Sequence, residues 1–193
     1  ILKADTIQDT DGNNIINENS NTITIGASGD TTNIIGTLQN NGAAVGGTNT
    51  PAFFAHLSAE QVVSSATFTK LQANTEIMDV GGYYDNSTNY RYTPLVAGKY
   101  FVFGAIHLDA TGGNYVDGQV EVRKNGTKVN YIAGRTNTSV NRGTEFTQTV
   151  SGIIDMNGSS DYIELWGYLS VNSGSSDFEN SYGTNFGAYK IIE

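Results

Sequence analysis

The sequence predicts an all-β chain, an antiparallel sandwich or barrel, and three observations carry that expectation. Strand-forming residues recur in short runs punctuated by Gly and Asn. No segment sustains a helical period, the best attempt at 58–65 being long enough for only about two turns. Charged residues make up 15% of the chain against about 25% in a typical globular domain, with Asn, Ser and Thr supplying polarity that suits turns and strand faces.

The composition changes at Pro51. Residues 1–50 contain no Phe, Tyr or Trp, whereas every aromatic side chain lies from Phe53 onward, so only residues 51–193 can build a globular core. The first segment, 1–50, carries β-branched aliphatics at Ile7, Ile15/Ile16, Ile23/Ile25, Ile34/Ile35 and Val45, separated by turn residues. That spacing suits very short strands, which one chain cannot bury alone and three chains around an axis can stack as a shaft. A low-complexity tether fits the same composition.

In the second segment the expected strands follow in order: 52–57, 67–71, 81–85 and 90–94, then 99–108 after the corner at Pro94 and Gly98. The aromatics of 99–103 are expected to enter the core. The tract 118–124 alternates apolar and polar residues and closes on Asn125-Gly126, the strongest short hairpin signal, with 127–133 returning. Strands at 145–156, 162–171 and 182–192 complete the set. In 162–169, Ile163, Leu165 and Leu169 share one face while Tyr162, Trp166 and Tyr168 share the other. Two apolar faces imply burial on both sides, under a neighbouring subunit or a covering loop, or else a ligand platform.

The chemistry available is limited. There is no Cys, and His56 and His107 both fall in expected strands, where packing explains them better than catalysis. Asp109 with Asp117, and Asp177 with Glu179, are carboxylate pairs of the kind glycoside hydrolysis uses, but acidic residues in Gly-rich loops are more often turn formers. The chain is therefore not expected to be an enzyme, and no cofactor is expected. A metal ion is left open: the oxygens of 109–114 and 155–158 suit either calcium ligation or turns. For binding, Asn114, Tyr115 and Asp117 form one candidate contact loop, and Arg135 with Arg142 a second. A net charge of −9 with scattered basic residues argues against a nucleic-acid partner, and no apolar run approaches the roughly 18 residues of a membrane helix. The lack of Cys favours assembly in a reducing compartment, as for a protein folded inside a bacterium.

The run Tyr90-Arg91-Tyr92-Thr93-Pro94-Leu95-Val96-Ala97-Gly98-Lys99-Tyr100-Phe101-Val102-Phe103 resembles the corner of the trimeric jelly rolls typified by tumour necrosis factor and the globular head of the first complement component. Phe53-Phe54-Ala55, Val122-Arg123-Lys124-Asn125-Gly126 and Asp161-Tyr162-Ile163-Glu164-Leu165 are similar to that family's opening strand, hairpin and penultimate strand, with Ser160 where Gly is usual. The ending Asn185-Phe186-Gly187-Ala188-Tyr189 looks like the tumour necrosis factor branch. The resemblance implies a ten-stranded jelly roll over 51–193 that assembles as a homotrimer, preceded by an aromatic-free extended segment.

The opening 1–13 and the run 21–30 look like the leaders of small virion proteins from marine tailed phages. That likeness implies that little precedes Ile1, that 1–50 dock onto other virion proteins, and that the protein resides in the virion. The expected function is then a tail fibre or appendage that adheres to a host glycan or protein receptor. A free or cell-surface lectin of the same fold is the competing expectation, and a glycan hydrolase the third.

Overall fold

A computed structural model gives the fold. It describes residues 49–137, 143–180 and 183–191, together with 6–8, 10, 14–19, 22–25, 28–29, 31–35, 38–40 and 43–44. All regular structure among them is β, and the chain divides into two compact units, Ile1–Gly47 and Thr48–Glu193.

The first unit holds β1 (Thr6–Gln8), β2 (Asn14–Asn19) and β3 (Thr22–Ile25) in one antiparallel sheet, and β4 (Gln39–Asn40) paired with β5 (Ala43–Ala44). The scattered isoleucines are in register: Ile7 pairs with Ile16, and Ile16 with Ile25. Ile7, Ile25, Ile34, Ile35 and Leu38 all remain exposed.

The second unit is a sandwich of two antiparallel sheets. Its strands are β6 (Ala52–His56), β7 (Gln61–Val63), β8 (Thr69–Lys70), β9 (Thr75–Val80), β10 (Tyr84–Asp85), β11 (Arg91–Tyr92), β12 (Ala97–Asp109), β13 (Tyr115–Lys124), β14 (Thr127–Asn137), β15 (Glu145–Asn157), β16 (Ile163–Val171), β17 (Ser176–Glu179) and β18 (Asn185–Lys190). One sheet runs β10-β11-β16-β13-β14, with β8 also on β16. The other runs β7-β17-β12-β18-β6-β9, with β15 along the opposite edge of β12. Thirteen strands thus stand where ten were expected, several of them only two or three residues long. Residues 58–65 contain a strand, β7, instead of a helical turn, because Val62 and Val63 ladder onto β17. Strands β9 and β17 were also unforeseen, while the ends of the expected strand 182–192 lie outside the described residues.

The core lies between the sheets. Phe53 stacks on Tyr84 and Tyr92 at 4.5 and 4.4 Å and meets Phe186 edge-on at 5.0 Å. Tyr100, Val102, Ile106 and Leu108 of β12 face Ile163, Leu165 and Leu169 of β16, all with no measurable exposure. Gly104 falls in the same row because a Cβ there would lie 2.6 Å from the Leu165 side chain. Phenols entering this core must stay neutral: Tyr84 donates to the Ala73 carbonyl at 2.8 Å, and burial pushes the Tyr100 phenol up to about 12.

The expected hairpin forms on Asn125 and Gly126, both with the positive φ that a two-residue turn matched to strand twist requires. Asn125 Oδ1 accepts from the Tyr162 amide at 2.9 Å and its Nδ2 donates to Asp161 at 2.8 Å, tying the turn to the next strand.

Replacing Phe53 by Ala removes a ring that three others pack on. The expected loss is about 3–5 kcal/mol of unfolding free energy, read by denaturant titration.

Candidate functional site

The two outer faces of the sandwich differ in kind. On the seven-stranded sheet the outward side chains align in rows across five strands. Ile153, Phe101, Tyr189, Ala52 and Val80 form one row, and Ser151, Phe103, Gly187, Phe54 and Met78 the next. Ring centroids lie 6.1 Å apart for Phe101 and Phe103, 5.5 Å for Phe101 and Tyr189, and 5.9 Å for Phe54 and Phe103. Ile153 is 50% exposed, and Val80 and Met78 each 43%. The third row carries small side chains, Thr149, Ala105 and Asn185, and leaves a hollow of about 370 Å³ bordered by Phe103 and Ser151.

Polar groups close the stripe at both ends. Lys99 pairs with Asp155 at 3.2 Å, while His107 places Nδ1 2.9 Å from Thr147 Oγ1 and Nε2 3.2 Å from Glu145. An apolar centre with a polar border is the anatomy of a protein interface. A contiguous apolar face of this sort is uncommon on a monomer.

These aromatics were expected in the core, and the structure corrects that expectation for two of them. Tyr100 enters the core, but Phe101 and Phe103 point outward because successive strand residues alternate faces. The run Tyr100-Phe101-Val102-Phe103 is apolar at every position, and that was the available signal of a strand covered on both sides.

The six-stranded sheet carries the expected Tyr162, Trp166 and Tyr168 outward, under a lattice supplied by its own chain. The Arg123 guanidinium lies 4.0 Å from the Trp166 ring and 5.3 Å from Phe68, and Phe68 packs on Tyr168 at 5.0 Å. Arg91 covers Tyr162 at 4.5 Å. Two buried carboxylates anchor the cations: Glu121 takes Arg123 at 2.7 Å and Lys128 at 3.1 Å, while Glu164 takes Lys70 at 2.7 Å and the Trp166 indole N–H at 3.0 Å. The loop 65–68 lays Phe68 on this face, one of the three alternatives for it.

The first candidate contact loop does not converge. Tyr115 is buried against Phe146 at 4.5 Å, and the Asn114 amide donates to Asn172 Oδ1 at 2.9 Å. Asp117 is buried on the outer side of β13, where Arg135 Nε and Nη2 donate to its two oxygens at 3.0 and 2.8 Å. Arg142 lies outside the described residues. Asp109 sits beside Asp177 in the ladder instead of Asp117. Among the described residues, no three His, Asp or Glu side chains are grouped to hold a metal ion.

No family model and no curated protein matches the sequence. Among solved structures, the crystal structure of murine APRIL at pH 5.0, a tumour necrosis factor family member, superposes with a TM-score of 0.52 at 11% identity. The match covers 72% of this chain and 98% of that one. The chain has a tumour necrosis factor-like jelly-roll fold.

Arg123→Ala strips the cover from Trp166 and leaves Glu121 buried with Lys128 alone. The expected cost is about 3 kcal/mol of stability, accompanied by a change in Trp166 fluorescence, since this is the only tryptophan in the chain.

Proposed function

We propose that this protein is the trimeric head of a phage virion appendage, a non-catalytic structural protein that meets the host surface. The observation that supports assembly is the aromatic stripe of Phe54, Phe101, Phe103 and Tyr189, with half-exposed Ile153 and Met78 at its flanks. The opposite sheet covers its aromatics with its own cations, whereas among the described residues of the second unit this face has no such lattice over its centre. Burying about 25 cal/mol of free energy per Å² of apolar surface gives identical copies a reason to associate. Three copies around one axis close the assembly, as cyclic symmetry requires, and the likeness in fold to a tumour necrosis factor family member agrees with that arrangement.

Adhesion follows from geometry of number. Three weak receptor sites on one rigid axis gain avidity once the first is engaged, so no single deep pocket is needed. Glycans suit surfaces rich in Asn, Ser and Thr, and the exposed half of the Arg135 side chain lies on the face away from the aromatic stripe. The exposed Ile7, Ile25, Ile34, Ile35 and Leu38 of the first unit are the surface assigned to contacts with other virion proteins. In this reading the protein assembles in the bacterial cytoplasm and is carried in the particle.

Light scattering of the purified chain is expected to give a mass near three times 20.6 kDa. The double substitution Phe101→Ser with Phe103→Ser is expected to yield a folded single chain with unchanged strand content. A wild-type monomer at micromolar concentration sinks the assembly reading. Mass spectrometry of purified particles tests the virion assignment, which ends if the protein is missing from them.

A further inference from the structure

Three carboxylates stand in one row at the end of the seven-stranded sheet: Asp109 of β12 is in register with Glu145 of β15 on one side and with Asp177 of β17 on the other. Residues directly opposed on neighbouring strands share a face, and like charges so placed repel. Glu145 has a partner, since its Oε2 lies 3.2 Å from His107 Nε2. Among the described residues, neither Asp109 nor Asp177 is paired with a Lys or an Arg.

What Asp109 and Asp177 have instead is two hydroxyls. Thr111 Oγ1 stands 2.6 Å from Asp109 Oδ2 and 3.1 Å from Asp177 Oδ2, and the Ser175 hydroxyl donates to Asp177 Oδ2 at 3.0 Å. A hydroxyl carries one proton, and the shorter contact gives that of Thr111 to Asp109. Asp177, which has no measurable exposure, is left with one donor for a whole carboxylate, and its Oδ1 is buried with no hydrogen-bond partner. Buried charges are paired or coordinate metals. A sealed carboxylate oxygen that no protein donor reaches, within a group of four oxygen-bearing side chains, marks the place of a cation.

The group is held by two loops that lie against each other, 110–114 between β12 and β13 and 172–175 between β16 and β17. The Ser175 amide donates to the Thr111 carbonyl at 3.0 Å, and the Asn172 amide to the Asn114 carbonyl at 3.0 Å. Thr111 and Ser175 are exposed, so the cluster has a side open to solvent.

We propose that Asp109, Thr111, Ser175 and Asp177 bind a hard divalent cation, calcium in preference to magnesium, which ties both loops to the end of β12. Two carboxylates balance the charge of one such ion. With Glu145 turned to His107, the remaining ligands are hydroxyls, loop carbonyls and water. Calcium accepts such a mixed and irregular oxygen set, whereas magnesium demands a near-ideal octahedron. The ion gives Asp177 Oδ1 the positive partner that no side chain provides. The site lies within one chain and stands whether or not copies associate.

The test uses the intact chain, stripped with chelator and titrated with calcium chloride or magnesium chloride. Calorimetry is expected to give one calcium per chain, and the thermal midpoint to rise by about 3–6 °C for each tenfold excess of calcium over its dissociation constant. Asp177→Asn and Asp109→Asn are expected to abolish both responses. Each also removes one of two opposed charges, so in chelator each is expected to unfold a few degrees above wild type, which separates a lost ligand from a damaged fold. Asp155→Asn, at the other end of β15, is expected to keep the wild-type response. A wild type that shows neither calcium heat nor a shifted midpoint overturns the site, as does a calcium response that survives in Asp177→Asn. An equal response to magnesium overturns the assignment to calcium. Stabilisation of the stripped chain by acid, with calcium inert, puts a shared proton where the cation is assigned and overturns it as well.

Discussion

Strand β12 is the constraint around which the second unit is organised. It is paired over its whole length with β15, and on its other edge with β18 from Tyr100 to Ala105 and with β17 from His107 to Asp109, which leaves little of its backbone to a partner chain. Its side chains are apolar on both faces from Tyr100 to Phe103. One face has the core as its destination. The other has nothing within the described second unit above Phe101 and Phe103 except neighbouring rings of the same sheet, and that imbalance between a satisfied backbone and an unsatisfied surface defines what the molecule offers.

The two outer faces solve one problem in different ways. An aromatic on a sheet's outer surface must meet something, and β16 meets it with charge: Glu121 and Glu164 are buried beneath Arg123, Lys128 and Lys70, and the Arg123 guanidinium and Lys70 ammonium lie over Trp166. Such a lattice is self-contained, since every carboxylate in it has its cation close by. Among the described residues of the second unit, the face of β12 and β18 lacks it at its centre and carries ion pairs at its two ends, Lys99 with Asp155 and His107 with Glu145.

Much of the fold was legible in local chemistry. The Asn125-Gly126 turn, the alternation in β13 and the Ile163, Leu165 and Leu169 face of β16 each follow from one rule acting over a few residues. The strands that escaped notice, β7, β9 and β17, are short, carry Gln, Glu, Asp and Thr, and exist because a neighbour already in place offers hydrogen bonds. The site was harder. Asp117 and Arg135, read from sequence in two separate contact loops, satisfy each other, and Tyr115, read as a contact residue, is drawn inward to Phe146. Which of two aromatic faces is covered depends on Phe68 and Arg123, residues distant in the chain whose meeting no local pattern encodes.

Gly187 lies beneath the Phe103 ring, where even a methyl group would stand 2.5 Å from it. The flatness of the stripe therefore rests on a missing side chain: with hydrogen alone at that point the ring lies down across the sheet, and with anything larger it must tip up. In the proposed trimer, a change there would leave the interior of each copy as it was and spoil only the fit of one copy against another, so that a lesion in assembly would arise in a polypeptide that still folds.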